Sequence, residues 1–248
     1  MMNFYTVQPQ TKEELSEIIF TTMERKGENC NLNFIDTSKI TDMSFLFKDS
    51  LFNGNISKWN VANVRDMEGM FCNACNFNQR LDSWNISNIE SLRFMFMGAT
   101  NFNQPLNNWN TSNIKTMQYA FCDAKSFNQP LDQWDVCNVT DMSCMFSGAK
   151  NFNQPLDKWD VSNVFNMSEM FNDAEKFNQP INNWNISHLR FAIAMFANAL
   201  NFNQDLDNWK FNSRCLVKDF LFGATSFKSK LPKNLLIKIT AEYFLHDN

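Results

Sequence analysis

The chain has 248 residues, of which 44% are hydrophobic, and its 22 basic and 26 acidic residues give a formal net charge of −4. No basic surface is concentrated enough to suggest nucleic-acid binding, and no run of about 18 apolar residues suggests a membrane span. The first residues lack the basic and then apolar stretches of a secretory signal. We therefore expect a cytoplasmic protein that has no membrane span and does not bind nucleic acid.

The first predicted element is an α-helix over residues 11–26. Thr11 and Glu14 have the spacing of a capping box at its start. Leu15, Ile18 and Ile19 then fall on one face. The sequence predicts a helix that packs this face against the rest of the chain and covers its N-terminal end.

The chain beyond this helix is a tandem repeat. Every tryptophan is separated from the next by 25 residues: Trp59, Trp84, Trp109, Trp134, Trp159, Trp184 and Trp209. Phenylalanines from Phe52 onward keep the same step. A fixed period between about 20 and 50 residues is typical of stacked repeat proteins.

Each repeat predicts a short helix and a short strand. In the repeat 59–83, Val64, Met67, Met70 and Phe71 have the three- and four-residue spacing of a helical face. Ser-Asn pairs precede this face in other repeats and are typical helix caps. Trp59 and Val61 alternate as in a strand of about three residues.

Stacking these units predicts an α/β solenoid, a leucine-rich-repeat-like curved array of helix-turn-short-strand repeats. Paired strands lie about 4.8 Å apart, whereas packed helices need about 8–10 Å, so the array would open into a horseshoe on the helix side. Phe, Trp, Met and Leu would form core columns. The Asn-Gln pairs, such as Asn78-Gln79 and Asn103-Gln104, would form ladders that bond turn backbone between repeats.

The ends of the array are expected to differ from its middle, because an open terminal repeat exposes core. We predict an N-terminal capping helix and lead-in at 1–35, the tandem repeats at 36–230 and a C-terminal cap at 231–248. Pro232 and the sequence NLLIKITAEYFL depart from the repeat there. The array is expected to be monomeric.

The repeats read W-[ND]-[VI]-S-N-[VI]-x-x-M-x-x-M-F-x-x-A-x-x-F-N-Q-P-L over residues 36–231. This motif resembles the 25/26-residue repeat family of bacterial surface proteins, also called BspA-type leucine-rich repeats. The resemblance implies a leucine-rich-repeat-like solenoid used for adhesion or protein binding. It also implies a surface or secreted location, which would require an export signal upstream of Met1 or a non-classical route.

The residue types that support catalysis are scarce. Of the two histidines, His188 occupies the position of Asn163 one repeat earlier, which favours a structural role over catalysis. Cys72 and Cys75 form a CxxC, but no second pair completes a zinc site. The simpler interpretation is that both cysteines are small packing residues. The seven cysteines are an odd number at irregular positions, which favours reduced thiols. We expect no enzyme activity, metal or cofactor.

Candidate binding residues are those that depart from their counterparts in other repeats. Phe94 and Tyr119 occupy one position on predicted adjacent helices, Phe165 replaces polar residues at another, and Phe191 makes the sixth helix more apolar. Exposed aromatic groups are common in interface hot spots, although extra packing between repeats is an equal alternative. Asp135 and Asp160 could add an acidic stripe on the strand face, with a solvated polar edge as the alternative.

The sequence therefore predicts a non-enzymatic protein–protein interaction scaffold. The alternative is a bacterial cell-surface adhesin or structural surface protein, in which regularity and reach matter more than one binding patch.

Overall fold

The computed structural model describes residues 7–237. Helix α1 spans Lys12–Lys26, with Thr11 as its N-cap and Gly27 at its end. The Thr11 side chain accepts a hydrogen bond from the Glu14 N–H at 3.3 Å, and the Glu14 carboxylate accepts one from the Gln10 N–H at 2.7 Å. Leu15 and Ile19 are buried. The predicted N-terminal helix is confirmed.

The predicted α/β solenoid is wrong. Between α1 and a short helical turn at 233–237, the described chain contains no further helix, and its parallel pairing consists of isolated bridges rather than strands. Each 25-residue unit, from one tryptophan to the residue before the next, is a series of turns that we call a coil. With no helix layer, the stack lacks the difference between strand and helix spacing that would open it into a horseshoe.

Left-handed backbone at two positions of each coil prevents helix formation. In the coil 59–83 these are Gly69 and Asn73, with φ of 57° and 56°. The N–H groups of Met70 and Cys72 close turns onto carbonyls three residues earlier. The N–H groups of Gly69, Phe71 and Asn73 bond instead to the next coil, as Phe71 does to the Met95 carbonyl at 3.0 Å. Along residues 69–73, amides that join successive coils therefore alternate with amides that close local turns.

The predicted strand is also a turn. The N–H of Trp59 bonds to the Ile56 carbonyl at 3.1 Å, and that of Val64 to the Val61 carbonyl at 3.0 Å. Parallel pairing between coils does occur, but at the start of the predicted helix. Single bridges link Asp42 with Asp66 and run along Ser91, Thr116, Asp141, Asn166, Phe191 and Leu216.

The core consists of side-chain columns, as predicted. Phe71, Phe96 and Phe121 stack with centroid distances of 5.6 and 5.5 Å, and Phe77 stacks on Phe102 at 5.9 Å. Each tryptophan indole N–H donates to a backbone carbonyl 27 or 28 residues earlier in the chain: Trp59 to Leu32, Trp84 to Ile56, Trp109 to Leu81, Trp134 to Leu106, Trp159 to Leu131, Trp184 to Leu156 and Trp209 to Ile181.

The predicted Asn-Gln ladders are confirmed. Asn78 Oδ1 accepts hydrogen bonds from the Asn103 N–H and the Gln104 side chain, both at 3.0 Å. The hydrogen bond from a backbone N–H to an Asn side-chain oxygen one coil earlier recurs along the stack, with acceptors from Asn53 through Asn203. One side-chain oxygen per coil therefore fixes the register of the next coil.

The predicted division at residues 35 and 230 stays a prediction. Coil-to-coil bonding already begins at Leu32, whose N–H bonds to the Asn55 carbonyl at 2.9 Å. At the other end, Leu235 is fully buried in the helical turn after the last coil. Residues 1–6 of the predicted N-terminal segment and 238–248 of the predicted C-terminal cap lie outside the described residues.

Candidate binding surface

Three exposed apolar side chains lie on successive coils of the C-terminal half and are called here the apolar strip: Phe165, Phe191 and Leu216. Their exposed fractions are 40%, 37% and 51%. Phe191 and Leu216 form a parallel bridge, and the Phe191 N–H donates to the Phe165 carbonyl at 3.1 Å. Backbone bonds therefore hold the three residues in adjacent coils.

The apolar strip interrupts a ladder of polar residues at the bridging position. In earlier coils the side chain there accepts a hydrogen bond from the N–H two residues later, as Asp141 does from Ser143 at 2.8 Å. The same bond is made by Asp42, Asp66, Ser91, Thr116 and Asn166. Phe191 and Leu216 have no acceptor atom, so each forgoes a bond worth about 0.5–1.5 kcal/mol.

Phe94 and Tyr119 form a separate aromatic pair. Their ring centroids are 5.1 Å apart at an interplanar angle of 33°, and the Arg93 guanidinium lies 4.5 Å from the Phe94 ring centroid. Both residues are half-buried and have φ of 57°. They lie on adjacent coils at the left-handed turn position, so their predicted placement on adjacent helices is wrong although they do contact each other.

The structure divides the predicted aromatic residues into two groups. Phe94 contacts Tyr119, and Phe165 is bonded through its backbone to Phe191. Among residues 7–237, no ring contact joins the two groups. Leu216 was missed by the sequence analysis, although it lies 25 residues after Phe191 and the repeat register alone could have identified it.

Asp135 and Asp160 are exposed, but the predicted strand face that would carry them is absent. Their Oδ1 atoms accept hydrogen bonds from the N–H groups of Cys137 at 3.0 Å and Ser162 at 3.1 Å. Hydrogen bonds from the Ser162 side chain and backbone lower the pKa of Asp160. Both carboxylates thus stabilise local turns, as asparagines do at the same position in other coils.

His188 has a structural partner. Its Nδ1 lies 2.7 Å from the Ser162 carbonyl, and Asn163 Nδ2 donates to the Cys137 carbonyl over the same distance one coil earlier. The predicted helix caps at these Asn positions are therefore wrong, because the amides bond to the preceding coil. Across residues 7–237, no group of three or more His, Cys, Asp or Glu side chains could hold a metal ion.

Burial favours the protonated form of three of the thiols. All seven cysteines are free. Burial raises the pKa of Cys72, raises that of Cys144 to about 11 and raises that of Cys122 to about 12. A thiol with a raised pKa is a poor nucleophile at neutral pH, so these groups are packing residues.

Comparison with known proteins gives a family and no function. The family model described as "Mycoplasma protein of unknown function, DUF285" matches residues 14–134 and 116–234. The chain belongs to this family. No curated protein and no solved structure matches it. The two overlapping matches agree with a tandem-repeat domain of unknown function. Within residues 7–237 no helix is long and apolar enough to cross a membrane.

Proposed function

We propose that this chain is a non-enzymatic protein–protein interaction scaffold that binds a protein partner through the apolar strip. The observation that carries the proposal is the replacement of the polar ladder by Phe191 and Leu216. Neither Phe191 nor Leu216 can accept the hydrogen bond that is made at this position in earlier coils. Because both side chains are exposed, the burial of their apolar area compensates for this loss only in part. A protein partner that covers these two side chains would compensate for the missing hydrogen bonds, because burial of their apolar area is favourable.

The coil stack supports this proposal because it holds the apolar strip rigidly. The Phe165 carbonyl accepts from the N–H groups of both Arg190 and Phe191, and the Leu216 N–H donates to the Arg190 carbonyl at 2.9 Å. A surface ordered before binding loses little conformational entropy when the partner docks. The Phe94–Tyr119 pair is proposed as a second contact, weaker because both rings are half-buried.

Affinity capture with matched variants tests the proposal. Phe165→Ala combined with Leu216→Ala should abolish capture of a specific protein from lysates, and Phe94→Ala with Tyr119→Ala should weaken it. Leu200→Ala, which alters a leucine with an exposed fraction of 40% outside both groups, is the control and should capture normally. Full capture by the first variant would refute the apolar strip as the binding surface.

A second candidate is the surface adhesin or structural surface protein implied by the BspA-type resemblance. Its support is the regularity of the Asn ladder, which runs unbroken from Asn53 to the Lys228 N–H. Such a ladder suits a protein whose reach and stiffness matter. Labelling intact source cells with an impermeant reagent separates the candidates: surface labelling favours the adhesin, and protection favours a cytoplasmic scaffold.

A further inference from the structure

The two ends of the coil stack differ in hydrogen-bonding chemistry. In the coil 184–208, the N–H groups at 192, 194, 196 and 198 all donate to carbonyls of the last coil, at 2.7–2.9 Å. The equivalent N–H groups of the last coil belong to Val217, Asp219, Leu221 and Gly223. Within residues 7–237 they have no acceptor. The last coil thus ends in an edge of four backbone donors, called here the donor edge.

The C-terminal end of the described chain, which includes the donor edge, carries a net positive charge. Residues 205–237 contain six basic and three acidic residues in a chain whose overall charge is −4. Lys210, Lys218 and Lys228 are exposed and form no ion pair in the described part of the chain. Phe222 lies within the same edge and has an exposed fraction of 63%. A partner that suits the donor edge would therefore supply hydrogen-bond acceptors, negative charge and an apolar group.

Helix α1 presents that chemistry at the opposite end of the stack. Leu15 and Ile19 pack into the core, and the opposite face of α1 carries Glu13, Glu17, Phe20 and Glu24, all exposed. Their spacing of three and four residues forms one continuous stripe. Phe20 has an exposed fraction of 62%, and the three glutamates form no ion pair within residues 7–237.

We propose that the donor edge binds the outward face of α1 of a second copy of this chain, so that copies associate head to tail. Carboxylates of the α1 stripe accept hydrogen bonds from the N–H groups of the donor edge, and charge-assisted bonds of this kind are stronger than neutral ones. Phe20 packs against Phe222. Such head-to-tail association differs from the monomeric state that the sequence predicts.

Other arrangements of two copies are disfavoured. Two donor edges cannot pair with each other, because each would face donors with donors. A direct coil-on-coil stack is blocked because α1 occupies that side of the first coil, where Lys12 Nζ lies 2.6 Å from Ser44 Oγ. A head-to-tail contact is heterologous and therefore propagates unless it closes into a ring.

Sedimentation velocity with complementary variants tests this proposal. The head variant carries Glu17→Lys and Phe20→Ser, and the tail variant carries Lys218→Glu and Phe222→Ser. The unmodified chain should grow in mass with concentration and revert at high salt, which screens exposed charges. Each variant alone should stay monomeric, and an equimolar mixture should form a one-to-one pair and nothing larger.

Several outcomes would overturn the proposal. These are an unmodified chain that stays monomeric at every concentration, a variant that still associates, or a mixture that forms no pair. Hydrogen exchange adds a check, since slow exchange at 217, 219, 221 and 223 in the monomer would show that the donor edge is closed within one chain. Phe165→Ala should associate normally, which separates this contact from the apolar strip.

Discussion

The indole Nε1 of Trp134 donates a hydrogen bond to the carbonyl of Leu106, which lies 28 residues earlier in the chain and 3.0 Å away. The same ring stacks on Trp109 at 6.4 Å and contacts Phe121 at 6.0 Å. Trp134→Ala should therefore lower the free energy of unfolding by about 3–5 kcal/mol, the usual cost of emptying a large aromatic site. Denaturant titration measures this loss.

Two controls sharpen that measurement. Trp134→Phe keeps a ring and removes one of two hydrogen bonds at the Leu106 carbonyl, which also accepts from the Trp109 N–H at 3.0 Å. Its cost should therefore be smaller, about 0.5–1.5 kcal/mol. Trp59→Ala lies nearer the end of the stack, where the tryptophan ring contacts only Phe47 among the described rings, and it should cost less than Trp134→Ala. Equal costs at both sites would argue against a core that is stabilised by neighbouring coils on both sides.

The Asn ladder gives a second prediction. Asn128 Oδ1 accepts from the Asn153 N–H at 2.9 Å and from the Gln154 side chain at 3.0 Å. Asn128→Ala removes the one oxygen that accepts both bonds and should cost about 1–3 kcal/mol, mainly for the Asn153 N–H that is left unpaired. The Gln154 side chain still has the Asn128 backbone carbonyl as an acceptor, at 3.1 Å. Asn128→Asp keeps the oxygen and should retain most of the stability in a chemical denaturation experiment. Similar losses in both variants would mean that the oxygen is not what matters.

A third prediction concerns left-handed turns. Gly148 has φ of +68°, and an added methyl group would overlap the Asp123 carboxylate in the preceding coil. Gly27 has φ of +78° with nothing within 4 Å of an added Cβ. Gly27→Ala should cost only backbone strain, about 1–2 kcal/mol, and Gly148→Ala should cost more. In thermal unfolding, adding Asp123→Gly to the Gly148→Ala variant should recover the excess, because glycine removes the carboxylate and tolerates the φ of 54° at that position. A failure to do so would place the strain elsewhere.

The Tyr119 phenol gives a pH-dependent prediction. A hydrogen bond to the Cys144 side chain, together with nearby charge and burial, raises the pKa of Tyr119 to about 12. Since an unfolded tyrosine ionises near pH 10, the folded state favours the neutral phenol. This contribution to stability is present below about pH 10 and is lost as pH rises toward about 12.

Absorbance titration of the phenols tests this directly. Cys144→Ala should move the Tyr119 transition to lower pH, because the hydrogen-bond acceptor is gone. Tyr119→Phe identifies which of the three tyrosine transitions belongs to this residue. An unchanged Tyr119 transition in Cys144→Ala would show that the sulfur does not hold the phenol in its neutral form.

The repeat period was sufficient to predict which residues stack. A step of 25 residues places Phe71 over Phe96 and Asn78 beside Asn103 whatever the local conformation, and both contacts are present. The type of local structure was not predicted correctly. Inward residues spaced by three and four arise equally from an α-helix and from a chain of three-residue turns, so Met67, Met70 and Phe71 fitted both.

One signal in the sequence could have decided between helix and turns. Every member of one left-handed column is Asp, Asn or Gly: Asp49, Asn73, Gly98, Asp123, Gly148, Asp173, Asn198 and Gly223. These are the residue types that tolerate positive φ. The other column carries no such signal, because it includes Phe94 and Tyr119, whose φ values only the structure reveals.

The candidate binding surface was partly predictable for the same reason. The sequence alone shows that Phe165 and Phe191 differ from their counterparts in other repeats, and both side chains are exposed in the structure. Their separation from Phe94 and Tyr119 was not predictable, because it depends on where each turn directs its side chain. The bond that Phe191 forgoes became visible only when the Asp141 and Asn166 side chains were seen to accept from backbone N–H groups.

Phe191 is proposed to serve binding, and not stability, in the apolar strip. The most direct test is the free energy of unfolding of Phe191→Asn, which restores the residue present at Asn166 in the preceding coil. We predict that this variant is more stable than the unmodified chain by about 0.5–1.5 kcal/mol, because the Ile193 N–H regains a side-chain acceptor. A variant that is less stable would show that Phe191 contributes packing to the stack, and that would contradict the proposed binding surface.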